Sequence, residues 1–228
     1  MELYGKKALL DNIDSIEKVD LLNNNRQIIE MLKQKNIKYS FNPKKFVELD
    51  KALNHQGIIA YSKNKQIFKT IDEYLKVHAD NSLIVILDSI LDPRNFGSIL
   101  RSCEAFGIDC VIYKKDNQAQ IDEFVIKTSQ GAINNLNLIK VINLSQTLDK
   151  LKESGFWIYS SVLNEKSKNY QKIDYDSKSV LVIGSEENGV SKNLIDKSDF
   201  LIKIPMCGKT QSLNVSVACG ILLSNIRK

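Results

Sequence analysis

The sequence predicts an α/β fold, a mostly parallel sheet with helices on both faces, preceded by a small α/β or α+β module. Three observations carry this. Leu83-Ile-Val-Ile-Leu87 is an unbroken apolar run, β-branched in part, as a strand covered on both faces requires. From there onward, strand-like and helix-like stretches alternate, the pattern of βα units. The character of the chain also changes near residues 78 to 82, because the elements before it are short and lysine-rich. The expected domains are therefore 1–78 and 79–228.

The elements follow in order. Helices are expected near Lys6 to Asn12, Asn25 to Lys35 and Pro43 to Leu49, and a strand at Gly57 to Tyr61. After the strand 83–87, Pro93 stops the extended run. Ile99 to Phe106 then has helical spacing, with Gly107 placed to cap its C-terminus. Next come a strand Cys110 to Tyr113, a helix around Ile121 to Ser129 ending at Gly131, and a strand Leu136 to Ile142. A helix from Gln146 to Glu153 has Ser145 as its candidate N-cap and Gly155 after it. Strands are expected at Phe156 to Val162, Ser179 to Ile183 and Phe200 to Ile204, then a last helix from Leu213 to Ile226.

Composition narrows the function classes. The formal charge is +5, from 32 Lys+Arg against 27 Asp+Glu, a mild bias. The distribution is more telling: between Lys33 and Lys69 there are nine lysines and two acids, Glu48 and Asp50. Such a stretch is either a solvated surface or the electrostatic footprint of a nucleic-acid site. Cys103, Cys110, Cys207 and Cys219 show no CxxC spacing, and His55 and His78 are the only histidines, so no metal site is expected. Each cysteine sits in an apolar stretch, which suits buried free thiols in a reducing cytoplasm. The N-terminus lacks the apolar segment of a signal peptide, and no apolar run approaches the ~20 residues of a membrane span.

Three segments at or near strand ends can carry chemistry, since ligands of open α/β sheets bind outside the carboxyl ends of strands. In Leu87 to Arg101, Asn95 lies near a helix start, Gly97 permits close backbone approach, and Arg101 follows one turn later. An arginine there can reach a phosphate; spacing alone favours the plainer account of a cap and a surface arginine paired with Glu104. In Leu181 to Val190 a strand runs into a glycine-bearing turn and a helix capped by Ser191. The dinucleotide fingerprint is absent, with Glu186 where its second glycine belongs. An acid there would repel a pyrophosphate, which argues for a cofactor without phosphates and against a nicotinamide dehydrogenase; taken alone, the segment is equally well a plain tight turn. In Ile204 to Ala218, Gly208-Lys-Thr210 resembles the end of a phosphate loop, but Lys203 stands where the Walker pattern needs glycine. Ser212 is equally well an N-cap, and Ser216 and Ala218 close-packing residues.

Together these segments resemble the SpoU/TrmH family of RNA 2′-O-methyltransferases over residues 83 to 227. Asn95, Gly97, Arg101, Phe106 and Gly107 fit the family's first motif. Gly184, Ser185, Glu186 and Gly189 fit the second. Ile204, Pro205, Met206, Gly208, Ser212, Leu213, Asn214, Val215, Ser216 and Ala218 fit the third. Tyr4-Gly5, Ala8-Leu9-Leu10 and His55-Gln-Gly-Ile-Ile-Ala60 are similar to the family's ribosomal-protein-like substrate-binding domain. That places the chain with the large-subunit rRNA guanosine methyltransferases. Glu187 stands where many relatives have glycine, and Cys103 where alanine is expected.

The resemblance implies S-adenosyl-L-methionine as cofactor, bound against Gly184, Ile204, Leu213, Met206 and Gly208 in a trefoil knot near the C-terminus. It implies a homodimer through the knotted domain and transfer of a methyl group to a ribose 2′-hydroxyl. Arg101, Asn95, Glu186, Ser212 and Asn214 are the implied catalytic set. RNA is the implied partner, rRNA favoured over tRNA. The expected location is the cytoplasm. A tRNA methyltransferase and a non-catalytic ribosome-assembly factor are the alternatives.

Overall fold

The computed structural model describes residues 2–11, 13, 16–47, 49, 55–62, 70–78 and 82–227. The chain divides into two compact units, residues 1–67 and 68–228. This boundary lies before the 78/79 junction expected from composition, because Ile71 and Tyr74 are buried in the core of the second unit. Asn12, Glu48, Asp50, Lys51, Lys63, Lys65 and Lys69, which entered the expectations for the first unit, lie outside the described residues.

In the first unit, β1 (Glu2–Tyr4), β2 (Ile16–Leu21), β3 (Lys38–Phe41) and β4 (Ile58–Ser62) form a sheet of order β1-β4-β2-β3. Only β2 and β3 are parallel; β4 runs antiparallel to both β1 and β2. The helices are α1 (Lys6–Asp11), α2 (Arg26–Gln34) and α3 (Pro43–Val47). Leu3, Val19, Leu21, Ile58 and Ala60 pack with Leu9, Ile28 and Leu32 in one apolar cluster. Strands β1, β2 and β3 escape a sequence reading because they are short and carry polar residues such as Lys18, Asp20 and Lys38.

Asp20 explains one of those polar positions. It is fully buried yet accepts hydrogen bonds from Ser40 Oγ at 2.5 Å and Tyr61 Oη at 2.8 Å, with Lys18 Nζ at 3.1 Å. Burial by itself would push the carboxyl up, but the hydrogen bonds from Ser40, Tyr61 and Lys18 and the lysine's charge outweigh it and hold it below its ordinary value. A lowered native pKa stabilises the folded state above the ordinary carboxylate value of about 4, and that contribution disappears as pH falls through the native value. Asp20→Asn should therefore cost about 1–3 kcal/mol at pH 7. In denaturant melts the gap to the wild type should shrink below about pH 4. A gap that does not change with pH would remove the carboxylate's charge from this account.

The second unit carries a seven-stranded sheet of order β7-β6-β5-β10-β8-β11-β9. Its strands are β5 (Ser82–Asp88), β6 (Cys110–Lys114), β7 (Asn137–Val141), β8 (Trp157–Ser161), β9 (Lys168–Asn169), β10 (Lys178–Gly184) and β11 (Phe200–Lys203). All pairings among them are parallel. The absence of polar alternation in these strands has a direct cause. Leu83, Val85, Leu87, Leu181 and Ile183 enter the core on the face of α5 (Pro93–Ala105), α6 (Glu123–Ser129) and α9 (Val215–Ile226). Ile84, Ile86, Val180 and Val182 enter the other core, under α4 (Ile71–Leu75), α7 (Leu144–Glu153) and α8 (Lys192–Ile195). Both faces are covered, so the central runs 83–87 and 180–183 are apolar at every position.

Several helix starts differ from expectation. Helix α5 begins at Pro93, with Asp92 as N-cap accepting from Arg94 N at 2.8 Å. Pro93 therefore opens the helix at N1; it does not stop the strand as expected, because β5 has already ended at Asp88, and Arg101 lies well inside the helix. Asn143 caps α7 in place of Ser145. Asn214, accepting from Ser216 N at 3.0 Å, caps α9 in place of Ser212. Gly97 permits a close approach as expected, and the neighbour is α6: a Cβ there would stand 2.7 Å from Thr128 Cβ.

Candidate functional site

Strand order locates the site. From β5 the chain steps outward through β6 and β7, and β8 then falls on the other side of β5, separated from it by β10. The order reverses at β5 and β10, and crevices at such switch points are where open α/β sheets bind ligands. The carboxyl ends there are Asp88 and Gly184, which are register partners.

A cavity of about 520 Å³ opens beside this point, within the usual range for small-molecule sites. Gly184 and Glu186 line it from the loop after β10. Ile204, Met206, Ser212, Leu213 and Asn214 line it from the segment after β11. Ile183, Val190, Ile195 and Val215 add apolar wall. The third side, Ser161 at the end of β8 with Val162 and Leu163 after it, is not among the residues the sequence points to. Its only mark is a strand end, because its side chains are chemically unremarkable.

Glycine is required at 184 by geometry. A Cβ there would stand 2.0 Å from Gly189 C and 2.1 Å from Val190 N. The loop folds back so tightly because Ser185 and Gly189 exchange backbone hydrogen bonds of 3.1 and 3.0 Å. Asn188 N donates to Ser185 Oγ at 3.1 Å. Glu187 is exposed at the tip, and its backbone does not adopt positive φ. The position therefore does not demand glycine, and the loop closes with an acid there.

Glu186 ties the motifs together. Its Oε1 accepts from Asn95 Nδ2 at 3.0 Å and from Asn214 Nδ2 at 2.8 Å, while Asn214 Nδ2 also donates to Asn95 Oδ1 at 3.0 Å. Asn95 is buried on the first turn of α5, and Glu186 and Asn214 are exposed at the cavity. Three residues 91 and 119 positions apart along the chain thus meet in one hydrogen-bonded triangle. Asn95 has both amide ends engaged, so it fixes the other two and is not left free for a ligand. Asn214 spends its Oδ1 on the α9 cap and on Ser216 Oγ at 2.6 Å.

Two expected residues stand apart. Arg101 is exposed on α5 and makes no hydrogen bond or ion pair among the described residues; Glu104 bonds Asn135 Nδ2 at 3.0 Å. It lies about 9 Å along the helix axis from Asn95 and outside the cavity lining. Gly208 is also exposed and outside the lining, with open space where a Cβ would go. Cys103 and Cys219 are buried together between α5 and α9, whereas Cys207, expected to be buried, is exposed because the segment after β11 is irregular.

The model of the SpoU rRNA methylase family matches residues 82–224. The chain belongs to this family. A tRNA/rRNA methyltransferase homologue of Mycoplasma pneumoniae is 38% identical over 97% of this chain and 94% of its own length. A TrmH/SpoU tRNA-modifying enzyme of A. aeolicus superposes with a TM-score of 0.60 at 35% identity, covering 68% of this chain and 82% of that one. An AdoMet-bound rRNA methyltransferase of Sinorhizobium meliloti shares the fold across 99% of this chain and 86% of that one, with a TM-score of 0.69 at 21% identity. This member of the SpoU family is an S-adenosylmethionine-dependent RNA methyltransferase, and 2′-O-ribose specificity is typical of the family. No helix among its described residues is long and apolar enough to cross a membrane.

The cavity fits the cofactor on its own terms. Its walls are apolar side chains, uncharged polar side chains such as Ser212 and Asn214, and loop backbone, and among the described residues the only charged groups lining it are Glu186 and Glu187. Two acids suit a ligand carrying sulfonium and ammonium charge and oppose one carrying phosphates.

Proposed function

We propose that this methyltransferase acts on the ribose 2′-hydroxyl of a guanosine in large-subunit rRNA, working in the cytoplasm as a homodimer built through its C-terminal domain. The observation carrying the catalytic reading is the Asn95–Glu186–Asn214 triangle at the mouth of the cavity. Gly184, Ile204, Met206 and Leu213 hold S-adenosylmethionine, which supplies an electrophilic methyl group when bound. The trefoil knot belongs to the same reading. Its support is that β10 lies inside the sheet between β5 and β8 while the segments after β10 and β11 converge on one cavity.

Positioning does much of the work, since alignment of reacting atoms can supply ~7–11 kcal/mol. The triangle holds the two cofactor segments to α5, and Ser212 orients the ribose beside them. Arg101 binds the target phosphate and stabilises alkoxide charge as it develops. A guanidinium stays protonated to about pH 12 and is a poor base, so a water or phosphate oxygen takes the proton. The dimer reading is supported by α9, where Val217, on the turn whose Val215 and Ala218 line the cavity, leaves an apolar side chain 51% exposed.

Preference for rRNA rests on the first unit, with its similarity to a ribosomal-protein-like domain and its Lys18, Lys38, Lys44 and Lys45. The A. aeolicus tRNA-modifying enzyme, whose match covers 68% of this chain, supports tRNA as the second reading. Incubation with tritiated S-adenosylmethionine, unmethylated large-subunit rRNA and bulk tRNA separates them. Label on rRNA that survives base removal is the expected result. Label on tRNA alone would overturn the substrate. No label on either, with cofactor binding intact, would favour a non-catalytic assembly factor.

A further inference from the structure

We propose that Asp88 is a positioning residue that closes the cofactor loop by holding its exit to its entry; this rests on reading residues 184–190 as the S-adenosylmethionine loop. Asp88 is the last residue of β5 and is 3% exposed. Its backbone is in register with Gly184, where the loop begins. Its side-chain Oδ2 accepts from the backbone N of Ser191, where the loop ends, at 2.8 Å. One residue thus grips both ends.

The grip is itself supported. Asp88 Oδ1 accepts from Ser89 Oγ at 3.2 Å and faces Lys114 Nζ at 3.6 Å. Lys114 Nζ also reaches Ser89 Oγ at 3.4 Å. Ser89 adopts φ +64, a left-handed conformation that a non-glycine residue rarely holds without help. A carboxylate buried at the end of an apolar strand is costly unless paired, and an apolar residue would be the cheaper occupant. What the carboxylate adds is the anchor on Ser191. The Ser191 side chain makes no cap bond to α8, so the backbone N–H held by Asp88 is what fixes the start of that helix. With both ends fixed, Glu186 in the middle is carried to Asn95 and Asn214. Asp88 does not line the cofactor cavity and acts through the loop alone.

The test is calorimetric titration of the full chain with S-adenosylmethionine, comparing wild type, Asp88→Ala and Asp88→Asn, with RNA affinity and melting temperature measured alongside. Asp88→Ala should weaken cofactor affinity about ten- to hundredfold, the loss of a charged hydrogen bond, while RNA affinity holds. At saturating cofactor its turnover should return towards wild type, so that KM rises more than kcat falls. Asp88→Asn keeps an oxygen for Ser191 N–H and should restore affinity to within about threefold. Wild-type affinity in Asp88→Ala would overturn the proposal, as would Asp88→Asn weakened as much as Asp88→Ala, or cofactor and RNA affinities falling together. Should Asp88→Ala not fold, native-state hydrogen exchange on the wild type decides: the Ser191 amide should exchange slowly, and exchange at open-loop rates would overturn the clamp. A wild-type protein whose exchange protection at 185–191 does not respond to bound cofactor would instead strike the reading of the loop.

Discussion

Gly184→Ala should abolish measurable cofactor binding, a loss of at least about a hundredfold, while leaving the protein folded. The added methyl would lie 2.0 Å from Gly189 C, 2.1 Å from Gly189 O and 2.1 Å from Val190 N. All three are backbone atoms, so no side-chain rotation relieves the clash. The loop must swing away and break the paired hydrogen bonds between Ser185 and Gly189, and Glu186 then leaves Asn95 and Asn214. Overpacking of this kind costs about 1–3 kcal/mol, which corresponds to a fall of roughly 2–12 °C in melting temperature. The loss of binding should therefore far exceed the loss of stability. Gly208→Ala is the matched control, because nothing stands within 4 Å of its Cβ position. It should bind cofactor like the wild type. Retained affinity in Gly184→Ala would mean that the loop can open and still bind, and lost affinity in Gly208→Ala would return Gly208 to the site.

The contrast between these two glycines illustrates what a sequence can reveal. Both belong to motifs, and motif membership assigned both to the cofactor. Only the folded loop distinguishes a glycine whose Cβ would meet backbone from one facing open space. The sheet of the second unit was legible because burial on both faces leaves unbroken apolar runs, such as Leu83 to Leu87. The start of α5 is legible in principle, since Asp92-Pro93 is a cap followed by proline at N1, although a proline after an apolar run equally signals a strand stop. Strand β2 is hidden because Lys18 and Asp20 interrupt it, and Asp20 is tolerated there through Ser40 and Tyr61 from neighbouring strands and Lys18 from its own. The triangle of Asn95, Glu186 and Asn214 could not be read from spacing, since its members meet through the order of strands in the sheet. Asp88 left one trace, a lone acid ending an apolar strand.

Arg101→Ala should lower kcat by about 10²–10³-fold, the usual cost of removing one preorganised donor to developing negative charge, with cofactor affinity unchanged. Three features make the result interpretable. Arg101 is exposed and bonds no neighbour among the described residues, so its removal should shift stability by no more than about 0.5 kcal/mol. It lies outside the cofactor cavity, so a fall in cofactor affinity would point to an unexpected coupling along α5. It is also held clear of the Asn95–Glu186–Asn214 triangle, so its side chain is free to take a phosphate. Arg101→Lys separates charge from shape, because lysine keeps the positive charge but loses the planar fork that engages a phosphate through two bonds. If the fork matters, single-turnover assays on rRNA should place the lysine variant between wild type and alanine, with most of the loss retained. Near-normal turnover in Arg101→Lys would leave charge alone as the contribution. Near-normal turnover in Arg101→Ala would remove Arg101 from the reaction and leave alkoxide stabilisation to Ser212 and the loop backbone.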